Sequence, residues 1–303
     1  MPATTTAFDE DLNVDHAFLG QHARWLIDHG CTGIVTPGSL GESATLTFDE
    51  KLAIWSTVVD AVGDRVPVVA AIASLSTAEA VRLAERAADD GCSGLMVLPP
   101  YVYRSDWREM KAHLEAVFRA TKLSCMLYNN PVAYGTDFLP AQIAELASEH
   151  ENLEAVKESS TDVRRVTWIR ELTGDRLAIF VGVDDAIVEA ISVGAVGWVA
   201  GLVNALPQES VELFDYAMNG ESEKAMTLYH WFLPLLRMDT VPKFVQLIKL
   251  VQQEVGMGNA RVRPPRLELE GTELEESLRV IRQALANRPK DISRKGAEAQ
   301  RKS

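Results

Sequence analysis

The 303-residue chain predicts an α/β protein, a (β/α)8 TIM barrel with additional C-terminal helices. Three observations carry that expectation. Short apolar runs alternate with longer amphipathic ones, which implies right-handed βαβ units and a parallel sheet. The short runs are rich in Val, Ile and Leu with little polar alternation, as in strands covered on both faces. No GxGxxG follows the first full strand, which disfavours the rival doubly wound open sheet.

The strand candidates are CTGIVTPG (31–38), VPVVAAIA (66–73), SGLMVLPP (93–100), SCMLYNNP (124–131), LEAVKES (153–159), LAIFVGVD (177–184) and AVGWVAG (195–201). An eighth strand is needed at the front to close a barrel. MPATTT reads as only its C-terminal end, so the given start is expected to lie a few residues inside that strand. Stretches such as HAFLGQHARWLIDHG and TAEAVRLAERAADDG space apolar residues three to four apart, as helices do. Gly30 and Gly91 sit at helix stops, and Asp49 and Thr77 at positions expected for helix N-caps. After Asn204 the strand rhythm ends, and PQESVELFDYAMNG, SEKAMTLYHWFLPLLR and VPKFVQLIKLVQQEVG read as helices, with one more running to about Arg288. The expected organisation is a barrel over residues 1–207, a helical region over 208–288 that packs outside the barrel or bridges subunits, and a basic tail over 289–303.

Composition excludes several functions. Apolar residues make up 47% and charged residues 24%, ordinary for a chain able to bury a large core. The formal charge of −13 argues against a nucleic-acid or anionic-membrane surface. From Arg288 to Ser303 six Lys/Arg face two Asp/Glu, so this stretch carries +4 and the remainder −17. Cys31, Cys92 and Cys125 form no CxxC pair and no metal spacing, which points to reduced cysteines and a cytoplasmic protein. His16, His22, His29, His113, His150 and His230 are scattered and mostly on helices, so no metal is expected. No cofactor motif appears.

In such a barrel, chemistry sits at the C-terminal ends of the strands. Those ends are Gly38-Ser39-Leu40-Gly41-Glu42, Pro99-Pro100-Tyr101, Tyr128-Asn129-Asn130-Pro131, Lys157-Glu158-Ser159 and Gly182-Val183-Asp184-Asp185. Lys157 follows apolar residues inside its strand, where poor hydration favours the neutral amine that attacks carbonyls. It is equally readable as the partner of Glu158 or Asp184, or as an exposed strand end. Tyr128 ends the preceding strand and is placed to relay a proton, or simply to pack. GSLGES offers a hydroxyl, backbone N–H groups and glycines that admit a carboxylate, although such turns are common. Glu42 reads as holding that loop.

Together these residues resemble a known family. GSLGE is similar to a GTTGE or GSTGE loop, YNNP to a YN-x-P strand end, and VKES to an IKE-[AS] lysine strand. VGVDD and GAVGWVAGLVN follow in order, and the likeness spans the chain up to the basic tail. These are marks of the dihydrodipicolinate synthase and N-acetylneuraminate lyase superfamily of class I aldolases. The resemblance implies that Lys157 forms a Schiff base, Tyr128 relays protons and Ser39 serves both relay and carboxylate site. Leu40, where the family has a second hydroxyl, and Gly41 then contribute through the backbone, with Val199 and Gly182 contacting substrate. It also implies a homodimer or homotetramer, no cofactor, and a small 2-keto acid or cyclic imine as substrate.

Departures bear on that substrate. Ala133 stands where synthases that take aspartate semialdehyde carry a carboxylate-binding arginine. Val102 replaces the tyrosine that normally reaches in from a neighbouring subunit, and Tyr103 beside it is the candidate to contact substrate in its place. Synthesis of dihydrodipicolinate is therefore disfavoured. Gly38–Gly41, Tyr128–Gly135, Gly182–Asp184 and Gly201–Pro207 resemble the branch containing 1-pyrroline-4-hydroxy-2-carboxylate deaminases, which release ammonia and 2,5-dioxopentanoate. The alternatives are a 2-keto-3-deoxy sugar-acid dehydratase or aldolase, and a silent barrel that only binds a keto acid.

Overall fold

The computed structural model describes residues 1–101 and 106–289. Seven strands, β1 (Ile34–Thr36), β2 (Val68–Ile72), β3 (Gly94–Val97), β4 (Ser124–Asn129), β5 (Leu153–Glu158), β6 (Ala178–Val181) and β7 (Gly197–Trp198), form one parallel sheet in sequential order. Each lies within an apolar run picked out from the sequence. Pro2 bridges Ala200 and Ala3 bridges Val35, both in the parallel sense, so the first residues fill the gap between β7 and β1. The Met1 ammonium donates to the Trp198 carbonyl at 2.8 Å in the same seam. The result is a (β/α)8 barrel whose eighth strand is reduced to these bridges.

Strand alternation sorts side chains between two cores. Outward residues such as Leu95, Leu127, Val156 and Ile179 pack under the surrounding helices. Inward residues include Ala3, Ala71, Ala73, Met96, Tyr128, Ala155 and Val199. Several of these are alanines, which leaves room inside the barrel's upper end.

Helix boundaries follow local chemistry. Gly30 (φ 95°) and Gly91 (φ 82°) take the left-handed conformation just past the helices His16–Asp28 and Thr77–Asp89. The two expected N-caps are each displaced. Thr47, not Asp49, caps Phe48–Val62: its hydroxyl accepts the Glu50 N–H, and Glu50 reaches back to the Thr47 N–H at 2.8 Å. Ser76, not Thr77, caps the next helix by accepting from Glu79. In both cases the hydroxyl three residues before a glutamate takes the position.

The helices after Asn204 are Pro207–Met218, Ser222–Leu236, Phe244–Glu254 and Gly271–Ala286. They do more than pack on the outside. A 3-10 turn, Arg237–Thr240, and the helix Phe244–Glu254 cross the mouth of the barrel. There Val245, Ile248 and Val262 bury Leu40. All three cysteines are buried and free. Among the described residues, no helix is long and apolar enough to cross a membrane.

Candidate active site

Alternation along β5 turns Ala155 and Lys157 inward and Val156 outward. Lys157 is 6% exposed, and its Nζ lies 4.3 Å from the centroid of the Tyr128 ring. The two residues are register partners on β4 and β5, which is why the phenol meets the amine. The expected alternatives for Lys157 do not occur among the described residues. Glu158 instead accepts from Asn129 Nδ2 (3.0 Å) and the Ser160 N–H (2.6 Å). Asp184 accepts from Trp198 Nε1 (3.0 Å) and from the backbone N–H groups of Gly201 and Leu202 (2.7 Å to Leu202).

Gly182 borders the cavity, and its main role is spatial. A Cβ there would lie 2.2 Å from Lys157 Cε and 2.2 Å from Ser159 Oγ. The missing side chain is the space the lysine stem occupies. Val199, 1% exposed, forms part of the same wall from the end of the seam.

On the β1 loop, Ser39 reaches the cavity and hydrogen-bonds the Tyr134 hydroxyl. Tyr134 lies edge-on to Tyr128 at 6.0 Å and tilted to Tyr101 at 5.6 Å. Leu40 lines the cavity while its side chain packs on the C-terminal helix. Gly41 does not reach the cavity. It faces backward, where a Cβ would meet the Thr4 carbonyl at 2.9 Å, and its own carbonyl accepts from Thr6 Oγ1 at 2.6 Å. Glu42, fully buried in a left-handed conformation (φ 56°), pairs with Lys249 at 2.5 Å and accepts the Arg263 N–H at 3.0 Å. It anchors the loop, as its sequence position suggested. Val102 and Tyr103 fall outside the described residues, as does nearly all of the basic tail.

Four further groups line this cavity, two from segments the sequence brought to the rim and two from segments it did not. Ser43 and Ser159 line it with hydroxyls that are buried and find no hydrogen-bond partner among the described residues. Such groups mark places where a ligand or water completes the bonding. Asp239, from the 3-10 turn, is the one carboxyl among the described lining residues. Burial, and next the charge of Asp184, push it well above the usual carboxylate range. Arg266 lines the wall near Tyr101 and Tyr134, and its guanidinium has no ion pair or hydrogen bond among the described residues. A guanidinium is thus present in the pocket although position 133 is alanine.

The cavity measures ≈ 530 Å³. A second cluster, Glu115, Glu149 and His150, lies on the outer helices, but Lys111 already brings a cation to it, 2.8 Å from Glu149. The chemistry therefore concentrates at Lys157. There an amine, a phenol and a hydroxyl pair meet in a largely apolar chamber suited to carbonyl addition.

Fold and site together define a barrel with a buried lysine at the C-terminal end of a strand. The family model described as Dihydrodipicolinate synthetase family matches residues 1–284, and the chain belongs to that family. It is 33% identical over 302 residues to the 4-hydroxy-tetrahydrodipicolinate synthase of Haloarcula marismortui, covering 99% of this chain and 97% of that one. The solved dihydrodipicolinate synthase of Bacillus anthracis superposes with a TM-score of 0.89 at 31% identity, covering 95% of this chain and 97% of that chain. YagE of E. coli K12, a prophage protein of the same family solved with pyruvate, gives a TM-score of 0.88 at 26% identity over 93% of this chain and 97% of that one.

Proposed function

We propose that the chain is a Schiff-base lyase acting on a small 2-keto acid or cyclic imine, and that 1-pyrroline-4-hydroxy-2-carboxylate deamination is its reaction. The observation that carries this reading is Lys157 entering the cavity over the ring of Tyr128. Pyruvate in the related YagE structure supports a 2-keto acid as the partner of that amine. Lys157 attacks C2, Tyr128 passes protons during carbinolamine formation and collapse, and Ser39 with the loop N–H groups receives the carboxylate. With the pyrroline, the lysine displaces the ring nitrogen from C2 and the ring opens. The C4 hydroxyl then leaves as water. Hydrolysis of the two remaining imines consumes two waters, so ammonia and 2,5-dioxopentanoate form with net uptake of one.

Apolar walls at Leu40, Met96, Leu98 and Val199 favour this compact substrate. Val132 and Ala133, both exposed, offer no guanidinium, which separates the site from a synthase using an arginine at that position. A second reading, a 2-keto-3-deoxy sugar acid, has its own support in the ≈ 530 Å³ cavity and the unpartnered Ser43 and Ser159 hydroxyls.

Borohydride reduction with pyruvate, followed by mass spectrometry, is expected to add the substrate mass at Lys157 and to fail in Lys157→Ala. A turnover panel then compares the pyrroline, 2-keto-3-deoxygluconate, and pyruvate with aspartate semialdehyde. Ammonia from the pyrroline supports the deaminase. Its absence, with turnover of another member, transfers the assignment to that member.

A further inference from the structure

We propose that Asp239 is the general acid that protonates the hydroxyl expelled from C4 of the lysine-bound substrate. This deepens the elimination reading above and rests on it. Once the C3 proton has been removed, the enamine on Lys157 pushes its electron pair from C2=C3 toward C3=C4. The C4–O bond then breaks and its pair leaves with oxygen. A hydroxide is a poor leaving group, so a proton must arrive as that bond breaks. The donor becomes a carboxylate, water departs, and the lysine nitrogen returns to a cationic imine, so charge and atoms balance.

The geometry singles out Asp239 for this step. It is the one carboxyl among the described residues that line the cavity with Lys157. The other acidic candidates are committed elsewhere: Glu42 to Lys249, Glu158 to Asn129 and Ser160, and Asp184 to Trp198, Gly201 and Leu202. The fold also reserves its space. A Cβ on Gly201 would lie 2.2 Å from Asp239 Oδ1, so the glycine at the end of the barrel seam accommodates this carboxyl.

The environment divides ionisation between neighbours. Asp184 collects N–H donors and is suited to carry the negative charge. Asp239 is desolvated and faces that charge, opposed by the attraction of Lys157 and a backbone N–H of Asp184. Asp185 adds to the repulsion, although Arg237 stands 3.9 Å from it. These surroundings shift Asp239 toward its protonated form, the direction a general acid requires.

The test uses Asp239→Asn and Asp239→Glu in the full chain, with melting curves to establish folding. If the proposal holds, Asp239→Asn still forms the pyruvate imine and still exchanges the C3 protons of pyruvate with D2O. It loses turnover of the hydroxypyrroline by about 10²–10⁴-fold, the usual contribution of a positioned acid. The loss shrinks with the 4-chloro analogue, which leaves without a proton. Asp239→Glu restores part of the activity, and the alkaline limb of kcat moves with the substitution. Undiminished turnover by Asp239→Asn overturns the proposal alone. Equal loss of imine formation overturns it in favour of a structural role. If the parent protein forms the imine yet eliminates from neither the pyrroline nor 2-keto-3-deoxygluconate, the elimination reading itself fails and the proposal falls with it.

Discussion

Gly182→Ala tests whether the site is organised around the stem of Lys157. The added methyl would sit 2.2 Å from Cε and 2.8 Å from Cγ of that lysine. Carbon atoms rest at about 3.5–4.0 Å, so Cε must retreat by roughly 1.3 Å or more. Cε is one bond from the amine, and the displacement therefore passes directly to the nucleophile. Misplacing a reacting group by about 1 Å costs roughly 10²-fold, which corresponds to about 2.7 kcal/mol of barrel-imposed positioning. Stability should suffer less. The lysine end and the Ser159 hydroxyl are both able to rotate away, so the loss belongs at the lower end of the ~1–3 kcal/mol seen for overpacking. The assay is the rate of borohydride-trapped pyruvate adduct, read beside the melting temperature. Gly20→Ala is the control: it lies inside the helix His16–Asp28, and its nearest neighbour atoms are 3.7 Å from the new Cβ. It should trap at the parental rate. A Gly182→Ala protein that also traps at the parental rate refutes the argument.

Three further outcomes are expected. Glu42→Gln leaves Lys249 buried without its counter-charge and should cost about 3–5 kcal/mol in denaturant titration, with partial recovery in Glu42→Gln/Lys249→Met. Arg266→Gln should raise KM for the carboxylate substrate about ten- to a hundredfold with kcat little changed, the scale of a hydrogen bond to a charged group; an unchanged KM removes Arg266 from substrate binding. Burial depresses His22 from its ordinary value near 6.5 to about 4 while Nε2 meets the Asn204 carbonyl at 2.8 Å. Its stabilising contribution is therefore complete above pH 6.5 and lost as pH falls toward 4, an effect on the order of 3 kcal/mol. Asp184, raised to about 6 by burial, runs in the opposite direction over the same range. The readout is thus the difference between the parent and His22→Gln, whose denaturation midpoint should depend less steeply on acid.

The strands were legible because both of their faces are buried, and the site positions were legible because a parallel barrel presents strand ends on one rim. Lys157 and Tyr128 are the clearest case: adjacent strands in register made their meeting foreseeable. Ser39 was legible as a hydroxyl at the rim, but its bond to Tyr134 was not. That contact depends on how the turn after β4 folds back, for which no periodicity speaks. Gly182 was read as touching substrate, whereas its larger consequence is the room it leaves for the lysine. Gly41 was expected from the family resemblance to contribute its backbone, but it is not among the residues that line the cavity, and its Cα packs against the Thr4 carbonyl.

The least legible wall is the one supplied by segments after the barrel, and the reason is physical. Asp239 and Arg266 come from segments after the barrel, where helical periodicity reports which face is buried but not which loop crosses the mouth. Yet the fold ties those segments to the catalytic rim. Glu42, in the β1 loop, is gripped by Lys249, 207 residues away, and by the Arg263 backbone, three residues before Arg266. Leu40 in the same loop is buried by Val245, Ile248 and Val262. The loop proposed to receive the carboxylate and the wall proposed to contact the rest of the substrate are therefore one mechanical unit. A disturbance at Glu42 should reach Arg266 without touching Lys157. Imine formation with pyruvate should then survive in Glu42→Gln at temperatures where the protein remains folded, while discrimination between larger substrates weakens. Equal loss of both would show that the lysine and its wall are not separable, and the division of labour drawn here would fail.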